Sequence, residues 1–327
     1  MEGYGKGVLI IGNGFDIDLG LKSRYSDFAM SKLWIDNIDA KINEYSSDGL
    51  MKSLINAKNK ENWFDIEQTM LDYVLDLMEL YDKTNYEFES NDKDKEAYTL
   101  VCQLLKQYLI HESDSVSIKK ESIAAKVLDN IFASNIFSTI YSFNYTDIHN
   151  FFRKQGIEIF PQIYHVHGSI LDGDDIILGV ESEDKILPKE YTFLYKTSSD
   201  YYCSNNIYES LRQADDVVFF GHSIDGMDFK YFRKFFETAS SENTDDYKRK
   251  YIRIFTGDHE SKLDIEYNFR KNGIDPFDLY RLNDIDFIYS INCENGDKHE
   301  NQKLQIFLDY LKNKSGANRV FMPKVVG

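Results

Sequence analysis

Gly12-Asn13-Gly14, Asn144, His167 and Ser223 are the residues of this 327-residue chain whose types and settings suit chemistry on an anionic ligand. The two glycines follow the apolar run Val8-Leu9-Ile10-Ile11 and precede a helical pattern. A strand, a glycine turn and a helix in that order make an anion site, because glycine lets backbone N–H groups approach a phosphate and the helix start adds partial positive charge. Asn144 ends the apolar segment Tyr141-Ser142-Phe143, where its amide can orient a water or a ribose hydroxyl. His167 closes another run and is followed by Gly168-Ser169, a setting that suits a general base beside a polar ligand. Ser223, in Phe219-Phe220-Gly221-His222-Ser223, can donate to a phosphate or a ribose.

Each of these residues also has an account without a ligand. The glycines make a tight β–α turn. Asn144, Thr146 or Asp147 caps a helix, and Asp225 or, better, Asp228 caps the helix that continues from Lys230 to Phe236. His167 bonds a loop. His165 and His167, at i and i+2, point the same way, but no third ligand lies nearby, so no metal is expected and His165 is read as supporting. The opening is also an incomplete dinucleotide fingerprint. Ile17 stands where the third small residue belongs, and Asp27, the acid nearest the required spacing, lies in a helical pattern. Hydride transfer is disfavoured.

Apolar runs at Val8–Ile11, Ile136–Phe143, Gln162–Val166, Asp175–Leu178, Asp216–Phe220, Tyr251–Phe255 and Ile285–Tyr289 read as strands, and helical patterns separate most of them. The alternation predicts an α/β fold with a Rossmann-like, mostly parallel sheet, which sets all four motifs along one edge. Between the first two strands, residues 28–132 carry helical spacing, as in Met70, Tyr73, Val74, Leu77 and Leu80 and again in Tyr98, Val101, Leu104, Leu105 and Tyr108, with the acidic stretch Glu87 to Glu96 as a loop. The expectation is a single domain over 1–327 with a helical insertion at about 28–132 after the first βα unit.

The net charge is −17, which repels nucleic acid, and the one compact basic run, Lys248-Arg249-Lys250, reads as a solvated strand entry. Cys102, Cys203 and Cys293 are too scattered for a zinc ribbon or a disulfide framework. No apolar run approaches a membrane span and no secretory signal opens the chain, so a cytoplasmic protein is expected.

Together these segments resemble the AbiH family of bacterial proteins linked to abortive infection by phage. The resemblance rests on Ile11-Gly12-Asn13-Gly14-Phe15-Asp16, Leu21, the Ser23–Phe28 run and Trp63-Phe64-Asp65-Ile66-Glu67. More distantly, the strand ends resemble sirtuin-like NAD-binding domains. That likeness implies that Gly12, Asn13, Gly14, Phe15 and Asp16 hold the NAD phosphates, with Asp16 either touching a ribose hydroxyl or supporting the turn. It also implies that Asn144 and His167, with Asp147 and Gly168 beside them, flank the nicotinamide ribose, and that Gly221, His222 and Ser223 contact the nucleotide. The four zinc-binding cysteines of sirtuins are missing, and Asn144-Tyr145-Thr146-Asp147 has one residue more than their Asn-x-Asp.

The function expected from this resemblance is an anti-phage effector that hydrolyses NAD+ to nicotinamide and ADP-ribose, with Asn144 and His167 catalytic, NAD as substrate and no metal. The alternative is a non-catalytic nucleotide-sensing module, with the helical insert as its partner surface. A nuclease toxin fits poorly with the charge. A homo-oligomer or a phage-derived trigger is the expected partner besides the nucleotide, with no membrane involved.

Overall fold

The computed structural model describes residues 6–45, 49–60, 65–84, 91–149, 152, 161–171, 173–181, 186–202, 206–242 and 248–319. Six parallel strands form one sheet: β1 (Gly7–Ile11), β2 (Phe137–Ser142), β3 (Gln162–His165), β4 (Asp216–Phe220), β5 (Tyr251–Thr256) and β6 (Asp284–Tyr289). Their order, β3-β2-β1-β4-β5-β6, is the doubly wound Rossmann-like order, with its topological switch point between β1 and β4. The all-parallel sheet agrees with the fold read from the sequence. Asp175–Leu178 is not a strand. Ile176 makes only an isolated antiparallel bridge to Gly168, and Ile176 and Leu178 are buried in the helical core instead.

Residues of β1 alternate between two cores, as the pleat requires. Leu9 and Ile11 pack with α7 (Ile123–Ser134) and the C-terminal helix Lys298–Arg319 on one face. Val8 and Ile10 pack on the other face with the helices Ile207–Gln213, Phe229–Ala239 and His259–Lys271. The helix Phe229–Ala239 buries Phe229, Phe232, Phe235 and Phe236, a stripe at helical spacing that presses on Phe219. Lys250 is not solvated. It is buried, and its ammonium donates to the Arg212 carbonyl at 2.6 Å and to that of Ala214, closing the C-terminus of the helix Ile207–Gln213.

A third core is almost wholly helical. α1 (Asn13–Asp18) gives Phe15 to the first core, and the third comprises α2 (Tyr25–Ala29), α3 (Lys32–Asn37), α4 (Leu50–Lys60), α5 (Ile66–Thr84) and α6 (Asp92–Ser115), and takes in Ile176, Leu178, Val180, Tyr191 and Leu194 from beyond β3. The acidic stretch expected as a loop is helical from Asp92 onward, and its residues 87–90 lie outside those described. Trp63, Phe64 and Cys203 also lie outside them. Among the described residues no helix is long and apolar enough to cross a membrane.

Candidate functional site

The strand register explains why distant motifs meet. His165, Ser142, Ile11 and Phe220 pair across the sheet in one row at its C-terminal edge. Chain leaving that row carries Gly12 from β1, Phe143 and Asn144 from β2, His167 from β3, and Gly221 and His222 from β4. This is the edge where open α/β sheets bind ligands.

The glycine turn is closed by protein. Gly14 N–H donates to the Gly221 carbonyl at 2.9 Å, and Gly12 N–H donates to Phe220 O at 3.0 Å. A Cβ on Gly12 would lie 2.6 Å from His222 Cα, and one on Gly14 would lie 2.6 Å from Gly221 Cα. Close backbone approach alone therefore explains both glycines. Phe15 is in the core, edge-on to Phe220 at 5.3 Å. The Asn13 carboxamide accepts from the Ser23 hydroxyl, which ties the turn to the Ser23–Phe28 run.

Asn144 and Asp16 brace this turn. Asn144 Nδ2 donates to Gly12 O at 3.0 Å, and Thr146 Oγ1 donates to Asp16 Oδ2 at 2.6 Å. Burial pushes the Asp16 carboxyl up to about 6, against its hydrogen bonds from Thr146 and Asn144. Of the two roles expected for Asp16, the geometry supplies the supporting one. Thr146 does not cap a helix, because its hydroxyl is spent on Asp16. Asp147 accepts from His149 N at 2.8 Å. Gly168 has φ +70°, and a Cβ there would meet Asp175 O at 1.9 Å, so glycine is demanded by that contact. Ser223 is exposed on the loop after β4. His165 faces the Asn144 carbonyl at 3.4 Å, and its Nε2 is buried without a partner.

The concentrated chemistry lies around His167. Its Nε2 is 2.9 Å from Asp228 Oδ1 and 3.3 Å from Lys196 Nζ. Asp228 is the nearer partner and its carboxylate only accepts, so Nε2 carries the proton, Nδ1 keeps its lone pair, and the Lys196 contact is one of charge rather than a hydrogen bond. Lys196, 1 % exposed, also lies 3.2 Å from Glu67 Oε2 and 3.8 Å from Asp228 Oδ1. His222 Nδ1 accepts from Ile224 N at 2.9 Å, so its proton sits on Nε2, 3.8 Å from Asp228 Oδ2. The Phe143 ring stands edge-on to both imidazoles, with centroids at 5.3 Å from His167 and 4.5 Å from His222.

Burial, reinforced by Lys196, lowers the His167 pKa and keeps the ring neutral. Burial likewise pushes His222 down to about 4, against the pull of Asp228. Burial opposes the Asp228 charge, yet His167 and Lys196 outweigh it and hold the carboxyl well below its usual range. Burial also pushes Glu67 up to about 7, with Lys196 opposing. Asp228 was expected to cap the following helix. It stands at the N-cap position, but its side chain makes no cap hydrogen bond, because the carboxylate is turned to the imidazoles.

Lys196 has no counterpart in the sequence reading. It follows the turn Lys189–Leu194 in a stretch without periodicity. Glu67 closes the segment Trp63-Phe64-Asp65-Ile66-Glu67, and that segment is its signal in the sequence. The ammonium of Lys196 occupies the centre of the carboxylates and imidazoles. Among the described residues no group of three His, Cys, Asp or Glu is arranged to hold a metal.

The loop over this centre is strained. Gly221 and Gly226 have φ of +65° and +57°, and Ile224, fully buried, has φ +51°. A β-branched residue in that region is an outlier of the kind found at functional sites.

The family model described as "Bacteriophage abortive infection AbiH" matches residues 8–247, well over half of the chain and every residue of the cluster. No curated protein and no solved structure matches.

Proposed function

Because the chain belongs to the AbiH family of bacteriophage abortive infection proteins, we propose that it is an anti-phage effector whose His167 centre cleaves the nicotinamide–ribose bond of NAD+. The observation that carries the reading is the 2.9 Å His167–Asp228 contact at the ligand edge of a Rossmann-like sheet. Asp228 holds the imidazole in one tautomer, so Nδ1 is the base, as in other oriented His–carboxylate pairs. Two carboxylates, Glu67 and Asp228, face one ammonium, Lys196. Asp228 keeps its carboxylate charge in this buried site, which suits a reaction centre that becomes oxocarbenium-like.

In the proposed step the C–N bond breaks and its electron pair leaves with neutral nicotinamide. Water forms the new C–O bond, and its proton passes to His167 Nδ1. The products are nicotinamide, ADP-ribose and one proton released to solvent. Asn144 is a positioning residue in this scheme, since its amide is committed to the Gly12 carbonyl. Gly14 N–H is committed to Gly221, so the nucleotide falls to the half-buried Asn13 and the exposed Ser223.

The test is nicotinamide release, and NAD level in phage-infected cells, for wild type and His167→Ala. The expected loss is about 10²–10⁴-fold for the variant. Equal release by both sinks the assignment. One observation favours a second reading, a nucleotide-sensing module: His167 and Lys196 are closed over by protein, at 4 % and 1 % exposure. ADP-ribose binding in calorimetry, with NAD unchanged in infected cells, selects that reading.

A further inference from the structure

We infer that Glu67 and Lys196 are positioning residues of the His167 centre, and that Lys196 is the bridge by which the helical core fixes the placement and neutral form of the imidazole. This inference rests on the reading of His167 as the base.

The geometry is specific. Glu67 is the second residue of α5, and both its oxygens are used: Oε1 accepts from Gly179 N at 3.0 Å, and Oε2 faces Lys196 Nζ at 3.2 Å. Lys196 is held from the other side by its backbone. Its N–H donates to Val180 O at 3.2 Å, and Val180 N–H donates to Leu194 O at 2.7 Å. Gly179 makes this approach feasible, since a Cβ there would lie 2.4 Å from Leu194 O and 3.2 Å from Lys196 N. The ammonium is thus delivered to a fixed point, 3.3 Å from His167 Nε2.

A lysine does not enter a core at 1 % exposure for packing alone. Removing an ammonium from water costs several kcal/mol unless good partners receive it. Its partners here are one carboxylate from the helical core and two groups from the sheet edge, so the bridge spans both cores. The arrangement also has an electrostatic consequence. A positive charge beside Nε2 disfavours a second proton on the ring. The groups facing His167 are Lys196 and Asp228 directly, His222 and Lys230 farther out, the rings of Phe143 and Tyr231, and Glu67 behind Lys196. Among them, Asp228 favours the imidazolium and Lys196 opposes it.

The test is NMR titration of the full chain carrying ring-labelled histidine, with His167 assigned from the variant that lacks it. Lys196→Met is expected to raise the His167 midpoint by about one pH unit or more, because an adjacent like charge is lost. Lys196→Gln is expected to raise it likewise, because the same charge is lost. Glutamine keeps a donor for Glu67, so Lys196→Gln carries the test if Lys196→Met fails to fold. Midpoints that stay at the wild-type value in folded variants overturn the inference. The titration needs no turnover, so a wild type that never releases nicotinamide removes the proposed reaction and leaves this result readable.

Discussion

Gly14 and Gly221 lie back to back at the switch point. Gly14 N–H donates to Gly221 O at 2.9 Å, and a Cβ on Gly221 would stand 2.4 Å from the Gly14 carbonyl carbon and 2.3 Å from Phe15 N. Gly221 also has φ +65°. Gly221→Ala is therefore expected to cost about 2–4 kcal/mol, from left-handed backbone strain and forced separation of β1 from β4. Urea unfolding measures it, and a change below about 1 kcal/mol would show that the contact relaxes freely.

That pair also shows what could be read from sequence. Val8-Leu9-Ile10-Ile11 and Asp216–Phe220 announced buried parallel strands, because only strands covered on both faces tolerate unbroken apolar runs. Their glycines were visible too, but a close backbone approach and a phosphate cradle require the same residue type. Only the partner across the gap, Gly221, separates the two accounts. His167 was legible because it ends a strand pattern. Asp228 was visible but assigned to a cap, since a helix-start aspartate looks alike whether or not its carboxylate faces the helix. Lys196 was illegible. Nothing local marks a lysine for burial; its counter-charges are Glu67, far upstream, and Asp228, downstream. Asp175–Leu178 looked like a strand for its apolar content, yet the same content serves burial against helices.

Asp16 predicts a pH-dependent stability. Its carboxyl is raised from 3.8 to about 6 by burial, so between those values the folded chain holds a proton that the unfolded chain has lost. Stability from this group is full at low pH and falls as pH rises through about 4 to 6, by about 3 kcal/mol. Asp16→Asn keeps an acceptor for Thr146 and removes the titration. Urea unfolding at both ends of that range should show a smaller decline for the variant than for wild type. Equal declines would mean that Asp16 is not the group responsible.

Asp94 holds the helical core together from α6. Its Oδ1 accepts from Leu50 N at 2.8 Å, and its Oδ2 accepts from Tyr73 and Tyr191 hydroxyls at 2.7 and 2.8 Å. Asp94→Ala strands three donors, an expected cost of about 3–9 kcal/mol at 1–3 each. Adding Tyr73→Phe and Tyr191→Phe should recover part of that loss, because two of the stranded donors disappear. Hydrogen exchange should quicken in α4, α5 and α6 while the sheet amides stay protected. Uniform quickening of sheet and helices would show instead that the cores unfold as one unit.

Asp228→Asn tests whether the carboxylate serves the imidazole or only the fold. The amide oxygen still accepts from one imidazole, but the charge is gone and the amide nitrogen brings two N–H groups toward another donor, His222 or His167. The tautomer of His167 is then no longer fixed, so nicotinamide release should fall by about 10²–10⁴-fold. The effect should sit in kcat, with KM little changed, because Asp228 acts through His167 rather than on substrate. Asp228 also favours the imidazolium, so its removal lowers the His167 pKa and moves the acid limb of the rate profile to lower pH. A loss confined to KM, with the acid limb in place, would assign Asp228 to ligand binding instead.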